Sequence, residues 1–202
     1  MIRTLFTIGL LALAGFAWGD DAGAFKPVFL VSRPDMNDPN FHDSVVLLTR
    51  SGPLGAVGVI VNRRTDVPLA RALPEAESRL GPDDRLFFGG PVGPAVMSFV
   101  FRASGPREGA LKIAEGAYAS SNQDLIKELI ARDRPTEGLR VFAGLAGWAP
   151  GQLEDEINRG DWRKLPVDAH MLFDVKPELM WTELDRRASA TLADNAPARV
   201  AR

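Results

Sequence analysis

The segment that most constrains the fold runs from Asp38 to Arg63 and holds two apolar runs, Ser44 to Thr49 and Val57 to Val61. The runs are joined by Ser-Gly-Pro-Leu-Gly, and glycine and proline at this spacing are typical of a turn between neighbouring strands. Each run is apolar almost throughout instead of alternating, which indicates a sheet covered on both faces. The segment therefore predicts a pair of adjacent strands inside the fold.

Composition excludes several functional classes. The chain has 202 residues, 46% of them hydrophobic, which is enough for one domain with a sizeable core. Its formal net charge of -2 disfavours nucleic acid as a partner. Cysteine is absent, which excludes disulfides, thiolate metal sites and a cysteine nucleophile. We expect no cofactor, and any imidazole chemistry must use His42 or His170.

Residues 1–19 have the three-part organisation of a secretory signal peptide: Arg3, an apolar segment at 5–16, and small residues at 17 and 19. The apolar segment is shorter than the ~20 residues that span a bilayer, so we expect no permanent membrane span. An uncleaved leader that tethers the chain is the alternative. We therefore expect export, to the periplasm.

The rest of the chain alternates short strands with isolated helices. Strands are expected at 28–31, 86–88, 96–102, 111–114, 139–145 and 171–173, and helices over 65–80 (short or broken), from 121 to before 135, at 152–159 and at 177–187. Residues 89–94, rich in glycine and proline, are expected to be irregular. No βα unit repeats, so residues 20–187 are expected to form one compact α+β domain with a central mixed β-sheet and three to four flanking helices. The alanine-rich residues 188–202 are expected to be a disordered tail.

Three separated stretches resemble one family. They are D-P-N-F and S-V-V within 38–46 with G-A-V-G-V-I-V-N at 55–62, F-G-G-P-V at 88–92, and A-G-W-A-P-G-Q-L-E-D-E-I at 146–157 with Trp162 downstream. In this order and spacing, residues 28–187 resemble the YqgE/AlgH family of bacterial proteins. The resemblance implies a compact α/β protein, and it implies no reaction because the molecular activity of that family is not established.

The chain departs from the family at several polar positions. Thr49-Arg50 stands where the family usually has Glu-His, Arg102 stands where it usually has histidine, and Arg64 stands where proline is common. Family members usually lack a signal peptide and look cytosolic, so the resemblance makes the cytoplasm the alternative location. An exported family member with altered polar positions is expected to have a different function. A functional assignment such as transcriptional regulator is therefore not transferred to it.

Three loops offer possible ligand groups, and each has a structural alternative. Asp35 to Asp43 offers oxygen ligands for calcium but lacks the glycine and distal glutamate of an EF-hand, so turn and cap roles are favoured. The backbone N–H groups of Phe88 to Pro94 could bind a phosphate, but the prolines in this stretch have no N–H to donate. Close backbone packing is therefore favoured. Gly147 to Gln152 leads into a helix N-terminus. Acidic residues already occupy that N-terminus, so a structural packing role is favoured over anion binding. We predict no metal site.

Nucleophilic catalysis would need a hydroxyl beside a base, and the candidates are Ser44, Thr49, Ser98 and Ser121. His42 lies two residues from Ser44, but in a turn-like segment with no third group. His170, beside Met171 and Phe173, is better explained as a partly buried strand residue. An enzyme is therefore disfavoured without being excluded, and a hydrolase acting on a small anionic substrate is the alternative function.

Five arginines lie at or beyond the ends of predicted strands, where they could rim one cleft or could be scattered over the surface: Arg33, Arg50, Arg63, Arg64 and Arg102. Arginine forks suit carboxylates and phosphates. The favoured hypothesis is a non-enzymatic binding or regulatory module that acts on an unknown protein or a small anionic ligand through a surface cleft. The candidate ligand-binding residues are Arg50, Asn62, Arg63, Gly90, Pro91, Arg102, Trp148 and Gln152.

Overall fold

The computed structural model describes residues 25–194. The predicted signal peptide and residues 195–202 lie outside that range. Within it the strands are β1 (Val28–Ser32), β2 (Val45–Gly52), β3 (Gly55–Ile60), β4 (Arg64–Pro68), β5 (Arg85–Phe88), β6 (Val92–Arg102), β7 (Leu111–Ala114), β8 (Ala117–Ser120), β9 (Leu139–Trp148) and β10 (Trp162–Pro166). The helices are α1 (Leu69–Ala72), α2 (Gln123–Ile130), α3 (Gln152–Asn158), α4 (Ala169–Phe173) and α5 (Pro177–Asp194), with a 3₁₀ helix at Pro74–Arg79.

The strands form one strongly curled, half-barrel sheet in the order β10-β1-β2-β3-β9-β6-β8-β7. Strand β9 is central: β6 runs along one of its edges, while β5 and then β3 run along the other. Among the described residues every pairing is antiparallel except that of β5 with β9. The predicted α+β single domain is confirmed, and its sheet is mixed only through that parallel pair.

The two apolar runs of the 38–63 segment pair as predicted, with Leu47 opposite Val59 and Val46 opposite Ile60. Successive side chains of a strand point to opposite faces. Leu47 and Val59 accordingly enter one hydrophobic cluster, and Val46 and Ile60 enter another. All four are at most 1% exposed, so both faces of this part of the sheet are covered, as expected.

Several predicted elements are wrong in type or in extent. The apolar residues 171–173 lie in helix α4, because Asp168 caps its N-terminus by accepting a hydrogen bond from the His170 N–H at 2.9 Å. Residues 65–68, expected to be helical, belong to β4, and β6 already begins at Val92 inside the stretch expected to be irregular. The helix expected from residue 121 begins at Gln123 and is capped by Asn122. Strands β8 and β10 were not predicted.

The last helix is longer than its apolar spacing predicted, since α5 continues past Arg187 to Asp194. Ala188 is only 4% exposed, and the Ser189 hydroxyl accepts a hydrogen bond from Arg163 of β10 at 3.1 Å. Trp181 anchors the helix to β1 by donating to the Ser32 carbonyl at 3.0 Å. The expected disordered tail is therefore helical over 188–194.

No helix between residues 25 and 194 combines the length and apolar character needed to cross a membrane.

Candidate functional site

Asn62 and Arg63 hold the 38–43 loop against the sheet. The Asn62 carboxamide accepts from the Val45 N–H at 2.8 Å and donates to the Asp43 carbonyl at 2.9 Å. The Arg63 guanidinium donates to the carbonyls of Asn40 and His42 at 2.7 and 3.0 Å, and burial lowers its pKa despite the nearby acids. The structure thus gives both residues backbone partners within the chain.

Gly90 lies where two backbones come close together. Its φ is +146°, and a Cβ there would be 2.3 Å from the carbonyl of Leu145 in β9. On the opposing backbone a Cβ at Gly144 would be 2.2 Å from the Gly90 oxygen. This is the close backbone packing that the sequence favoured, and Pro91 follows it on the surface.

Trp148 and Gln152 converge on Glu156, a residue that the sequence reasoning did not single out. One Glu156 oxygen accepts from the indole N–H groups of Trp148 and Trp162, both at 2.8 Å, and the other accepts from Gln152 at 2.9 Å. Phe41 stacks on Trp148 with ring centroids 5.9 Å apart. The four-residue spacing of Gln152 and Glu156 on one helix was the available signal.

Trp148 and Asn62 are connected through the 38–43 loop. Trp148 pairs with Ala56 at one end of β3 and stacks on Phe41 of that loop, whereas Asn62 follows the other end of β3 and donates to Asp43 of the same loop. Gly89 lies between them, accepting from the Ile60 N–H at 2.8 Å. Arg50 is exposed on β2, opposite Val57.

Arg102 closes the far end of β6 against α4. Its guanidinium donates to Asp174 at 2.6 Å and lies 5.0 Å above the ring of Phe173. Asp174 also contacts His170 at 3.0 Å. Hydrogen bonds from Arg102, and secondarily from His170, lower the pKa of Asp174. His170 is therefore exposed on a helix, and the prediction of a partly buried strand residue is wrong.

Two of the hydroxyl candidates, Ser44 and Thr49, bond backbone carbonyls, and the buried Ser98 hydroxyl has no hydrogen-bond partner in the described residues. Ser44 donates to the Phe41 carbonyl at 2.7 Å and Thr49 to the Val57 carbonyl at 3.2 Å, while His42 is exposed beside Asp43. Ser51 donates to Glu154 at 3.3 Å, but this contact is exposed.

In the 35–43 loop Asp38 accepts from the Asn40 N–H at 2.8 Å, which is a turn role. Across residues 25–194 no three His, Asp or Glu side chains are grouped to hold a metal.

A pocket of about 240 Å³ opens where β4, β5 and β9 meet the start of α5. We call it the Arg140 pocket. Its charged lining residues are Arg64, Asp83, Asp84, Arg85 and Arg140, and its apolar lining residues are Leu69, Phe87, Leu139, Val141, Phe173 and Pro177. Arg102 lies over the lining residue Phe173 but lines a different pocket, together with Ala103, Ser104, Glu115, Gly116 and Ala169.

Arg140 is the buried charge of this pocket, with only 8% of its surface exposed. It donates to the carbonyls of Val61 and Val175 at 3.2 and 3.0 Å, contacts Met180 Sδ at 3.3 Å, and lies 5.3 Å above the Phe87 ring. None of its hydrogen bonds or ion pairs within residues 25–194 is to a carboxylate. Burial lowers the pKa of Arg140 to about 10 against the opposing effect of the Glu178 and Asp174 carboxylates, so the guanidinium is charged at neutral pH.

Two of the N–H groups of Arg140 form no hydrogen bond to the described residues. A guanidinium carries one N–H on Nε and two on each terminal nitrogen. With Nη1 directed at Val61 and Met180 and Nη2 at Val175, the N–H on Nε and one on Nη2 have no partner in the described chain. Guanidinium N–H groups without a partner are able to bind the oxygens of a carboxylate or phosphate.

Two other arginines line the outer part of the pocket. Arg64 donates to the Asp83 carbonyl and Arg85 to the Pro82 carbonyl, both in the loop that precedes β5. Of the five strand-end arginines, Arg64 lines this pocket, whereas Arg102 lines another. Arg33 lies elsewhere, within 3.4 Å of Asp35 and Asp161.

The sequence reasoning missed Arg140 and Arg85. Arg140 is the one charged residue in the strand Leu139–Trp148, and a charge inside an otherwise apolar strand is a signal of a buried and partnered group. What the chain order could not show is which groups surround it.

The comparisons agree on one family. The family model described as AlgH-like matches residues 29–193. A UPF0301 protein from Anaeromyxobacter dehalogenans (strain 2CP-C) is 34% identical over 178 residues, covering 83% of this chain and 90% of the relative. A second UPF0301 protein, from Methylococcus capsulatus (strain Bath), is 37% identical over 171 residues, covering 81% and 91%.

Two solved structures share the fold. The solution structure of the AlgH protein from Pseudomonas aeruginosa has a TM-score of 0.62 and 26% identity, covering 91% of this chain and 99% of that one. A crystal structure of a Corynebacterium diphtheriae protein has a TM-score of 0.64 and 25% identity, covering 86% and 88%. Because the family match spans nearly the whole described domain, this chain belongs to the AlgH-like family.

Proposed function

We propose that this chain is a non-enzymatic binding module and that it takes a small anionic ligand in the Arg140 pocket. The observation that carries the proposal is the burial of the Arg140 guanidinium, 8% exposed, with no carboxylate in direct hydrogen-bond or ion-pair contact in the described chain, Glu178 and Asp174 acting on it only from a longer distance. Burying a charge is costly unless a counter-charge accompanies it. A bound anion supplies that counter-charge.

Hydrolysis of a small anionic substrate, the alternative, is less well supported. It requires a hydroxyl or a water activated by a base in a closed site. Thr136 is the only hydroxyl side chain among the pocket residues in the described chain, and no histidine lines the pocket. The nearest match to a serine–carboxylate pair, Ser51 with Glu154, is exposed.

The proposal is tested by the binding of phosphate, acetate, benzoate and isovalerate to the purified chain, measured by calorimetry and thermal unfolding at constant ionic strength. A ligand at a hundred times its Kd stabilises the folded state by about 2.7 kcal/mol, which is several degrees in Tm. We expect at least one of the four anions to stabilise the wild type in this way.

The variants are Arg140→Met, which removes the buried charge at similar volume, and Arg159→Met, which makes the same change outside the pocket at a residue paired with Asp161. Arg140→Met is expected to weaken binding of the effective anion at least tenfold, and Arg159→Met to leave it unchanged. Failure of all four anions to bind the wild type with a Kd below about 10 mM would refute the proposal. Equal binding by Arg140→Met would do the same.

A further inference from the structure

Three stretches rich in glycine and proline form one surface at an end of the sheet. They are residues 52–55, 91–95 and 147–151, which consist of glycine, proline, alanine, valine, leucine and one buried tryptophan. The stretches adjoin, because a Cβ on Gly55 would lie 3.5 Å from the Pro150 nitrogen and one on Gly147 would lie 3.8 Å from Val92 Cγ2. We call this surface the apolar end.

The side chains of the apolar end are largely exposed. Leu54, between β2 and β3, is 88% exposed and Val92 is 41% exposed. The other exposed side chains of the surface are those of Pro53, Pro91, Pro94, Ala95, Ala149 and Pro150. Contiguous exposed apolar surface marks a site of contact with another protein or with a membrane.

Residues 1–24 join the described chain beside the apolar end. Phe25 packs against the hydrophobic cluster that contains Ala56 and Trp148. These two residues pair with each other: Ala56 directly follows the stretch 52–55, and Trp148 belongs to the stretch 147–151. The preceding part of the chain is therefore attached to the domain at this end of the sheet.

The attached residues include the apolar segment at 5–16. Its length is short of the ~20 residues that span a bilayer. A single short apolar anchor holds a protein to a membrane only weakly, so stable attachment takes a second contact. Residues 17–24 join the segment to Phe25 and reach at most roughly 28 Å. A membrane that takes up the segment is therefore within reach of the apolar end.

Of three candidate occupants of the apolar end, a lipid bilayer removes the most apolar surface from water. The segment 5–16 holds Thr7 as its one polar side chain, so folding it back onto the apolar end would leave its outer side in water. A second copy of the domain would cover the apolar end and leave the segment uncovered. A bilayer covers both together.

The contact with the bilayer is expected to be hydrophobic and not electrostatic. Exposed charges of both signs border the apolar end: Lys26 and Arg50 are positive, and Glu154 and Asp155 are negative. The formal charges of these four residues cancel. They therefore supply no net attraction to anionic lipids.

We propose that the apolar end is a membrane-contacting surface. In the chain that retains residues 1–24, the segment 5–16 enters a lipid bilayer, and Leu54 and the neighbouring proline and valine side chains lie in the bilayer interface. The Arg140 pocket stays open, since it adjoins Leu139 at the opposite end of β9 from Trp148. This inference is independent of the proposed anion-binding function.

The test uses the full chain of 202 residues, which has no cysteine and so accepts a single labelled one. Leu54→Cys carries a fluorophore that is sensitive to polarity, and Leu179→Cys, 56% exposed on α5, is the matched control. With phosphatidylcholine vesicles we expect the fluorescence at position 54 to rise about twofold and to be quenched by spin-labelled acyl chains, at low and high salt alike. The label at position 179 is expected not to change.

Sedimentation of the full chain with the same vesicles gives a second measurement. Leu54→Glu is expected to weaken partitioning about tenfold, because a charge replaces an apolar side chain in the interface, and Leu179→Glu is expected to leave it unchanged. Sedimentation with no change in the label at position 54 would show that residues 1–24 alone hold the protein to the vesicle. That result would overturn the proposal, and so would the absence of sedimentation.

Shielding of the label at position 54 without vesicles would also overturn the proposal. If that shielding requires a high protein concentration, the occupant is a second copy of the chain. If it persists in dilute protein, the occupant is the segment 5–16 of the same chain.

Discussion

At the scale of single residues, the polar side chains that the family motifs emphasise hold the scaffold together. Asn62 is the clearest case, because its carboxamide bonds an N–H of β2 and a carbonyl of the loop before it. Arg63 adds two bonds to the same loop. Polar residues within recurring motifs can thus be retained for folding, and their presence does not by itself locate a ligand.

Replacing Asn62 by alanine is expected to lower the free energy of unfolding by about 2 kcal/mol, since it leaves the N–H of the fully buried Val45 unpaired. Urea denaturation measures this change. Asn158→Ala, at the exposed end of α3, is the matched control and is expected to change stability by less than about 0.5 kcal/mol. A similar small loss for Asn62→Ala would show that the loop finds other partners.

At the scale of elements, α3 is fixed to the sheet through one carboxylate. Glu156 accepts from indoles on β9 and β10 and from Gln152 on its own helix. Hydrogen bonds to a charged acceptor are stronger than neutral ones. This arrangement explains why a helix of only seven residues, too short to be stable alone, has a defined position.

Glu156→Ala is therefore expected to destabilise the fold by about 3 kcal/mol, because two buried indole N–H groups lose their acceptor. Asp155→Ala, one residue earlier and exposed, is the control and should cost less than about 1 kcal/mol. Equilibrium unfolding followed by circular dichroism distinguishes the two. Equal losses would mean that helix-terminal charge, and not the indole contacts, accounts for the effect.

The predictable elements were those with a strong local signal. The β2–β3 pair and helices α2 and α3 follow from apolar runs, turn residues and capping patterns near in the chain. Strand β10 could not be predicted in this way, because Trp162–Pro166 is held by antiparallel pairing with β1, more than a hundred residues earlier. Helix α4 was missed because three consecutive apolar residues fit both the periodicity of a helix and that of a strand. Only the Asp168 cap decides between the two structures.

The acidic ligand that the arginines indicated stays a prediction, and the pocket proposed for it contains few of the predicted site residues. Arginines at strand ends predicted an acidic ligand, and one of them, Arg64, lines the Arg140 pocket, whereas Arg102 lines another. Arg140 escaped notice because its importance lies in contacts from Val61 and Val175, which only the folded chain brings around it. The absence of a carboxylate partner is a property of three-dimensional surroundings, which residue order does not contain.

At the scale of the whole molecule, the Arg102–Asp174 contact joins the sheet to the C-terminal helices and has a defined pH dependence. The hydrogen bond from Arg102, followed by that from His170, lowers the pKa of Asp174 below its ordinary 3.8. A carboxyl group with a lowered pKa in the folded state stabilises the fold above its unfolded pKa. That contribution is lost as the pH falls through the folded value.

Asp174→Asn is accordingly expected to be less stable than the wild type at pH 7, and the difference is expected to shrink as the pH falls below about 4. Thermal unfolding across pH 2 to 7 measures this. The exposed Asp66, which forms no ion pair in residues 25–194, provides the control Asp66→Asn, whose difference from the wild type should stay small throughout. A gap between wild type and Asp174→Asn that persists unchanged at the lowest pH would contradict the electrostatic explanation.

The pairing of β10 with β1 also has a consequence for how the chain is made. Strand β1 begins at Val28, yet its outer neighbour ends at Pro166, so the two leave the ribosome well over a hundred residues apart. Until then β1 presents one unpaired row of backbone donors and acceptors, the kind of edge on which chains associate with one another. Synthesis of this protein therefore includes a long interval in which a nascent chain needs protection from its neighbours, and that interval ends only when β10 has emerged.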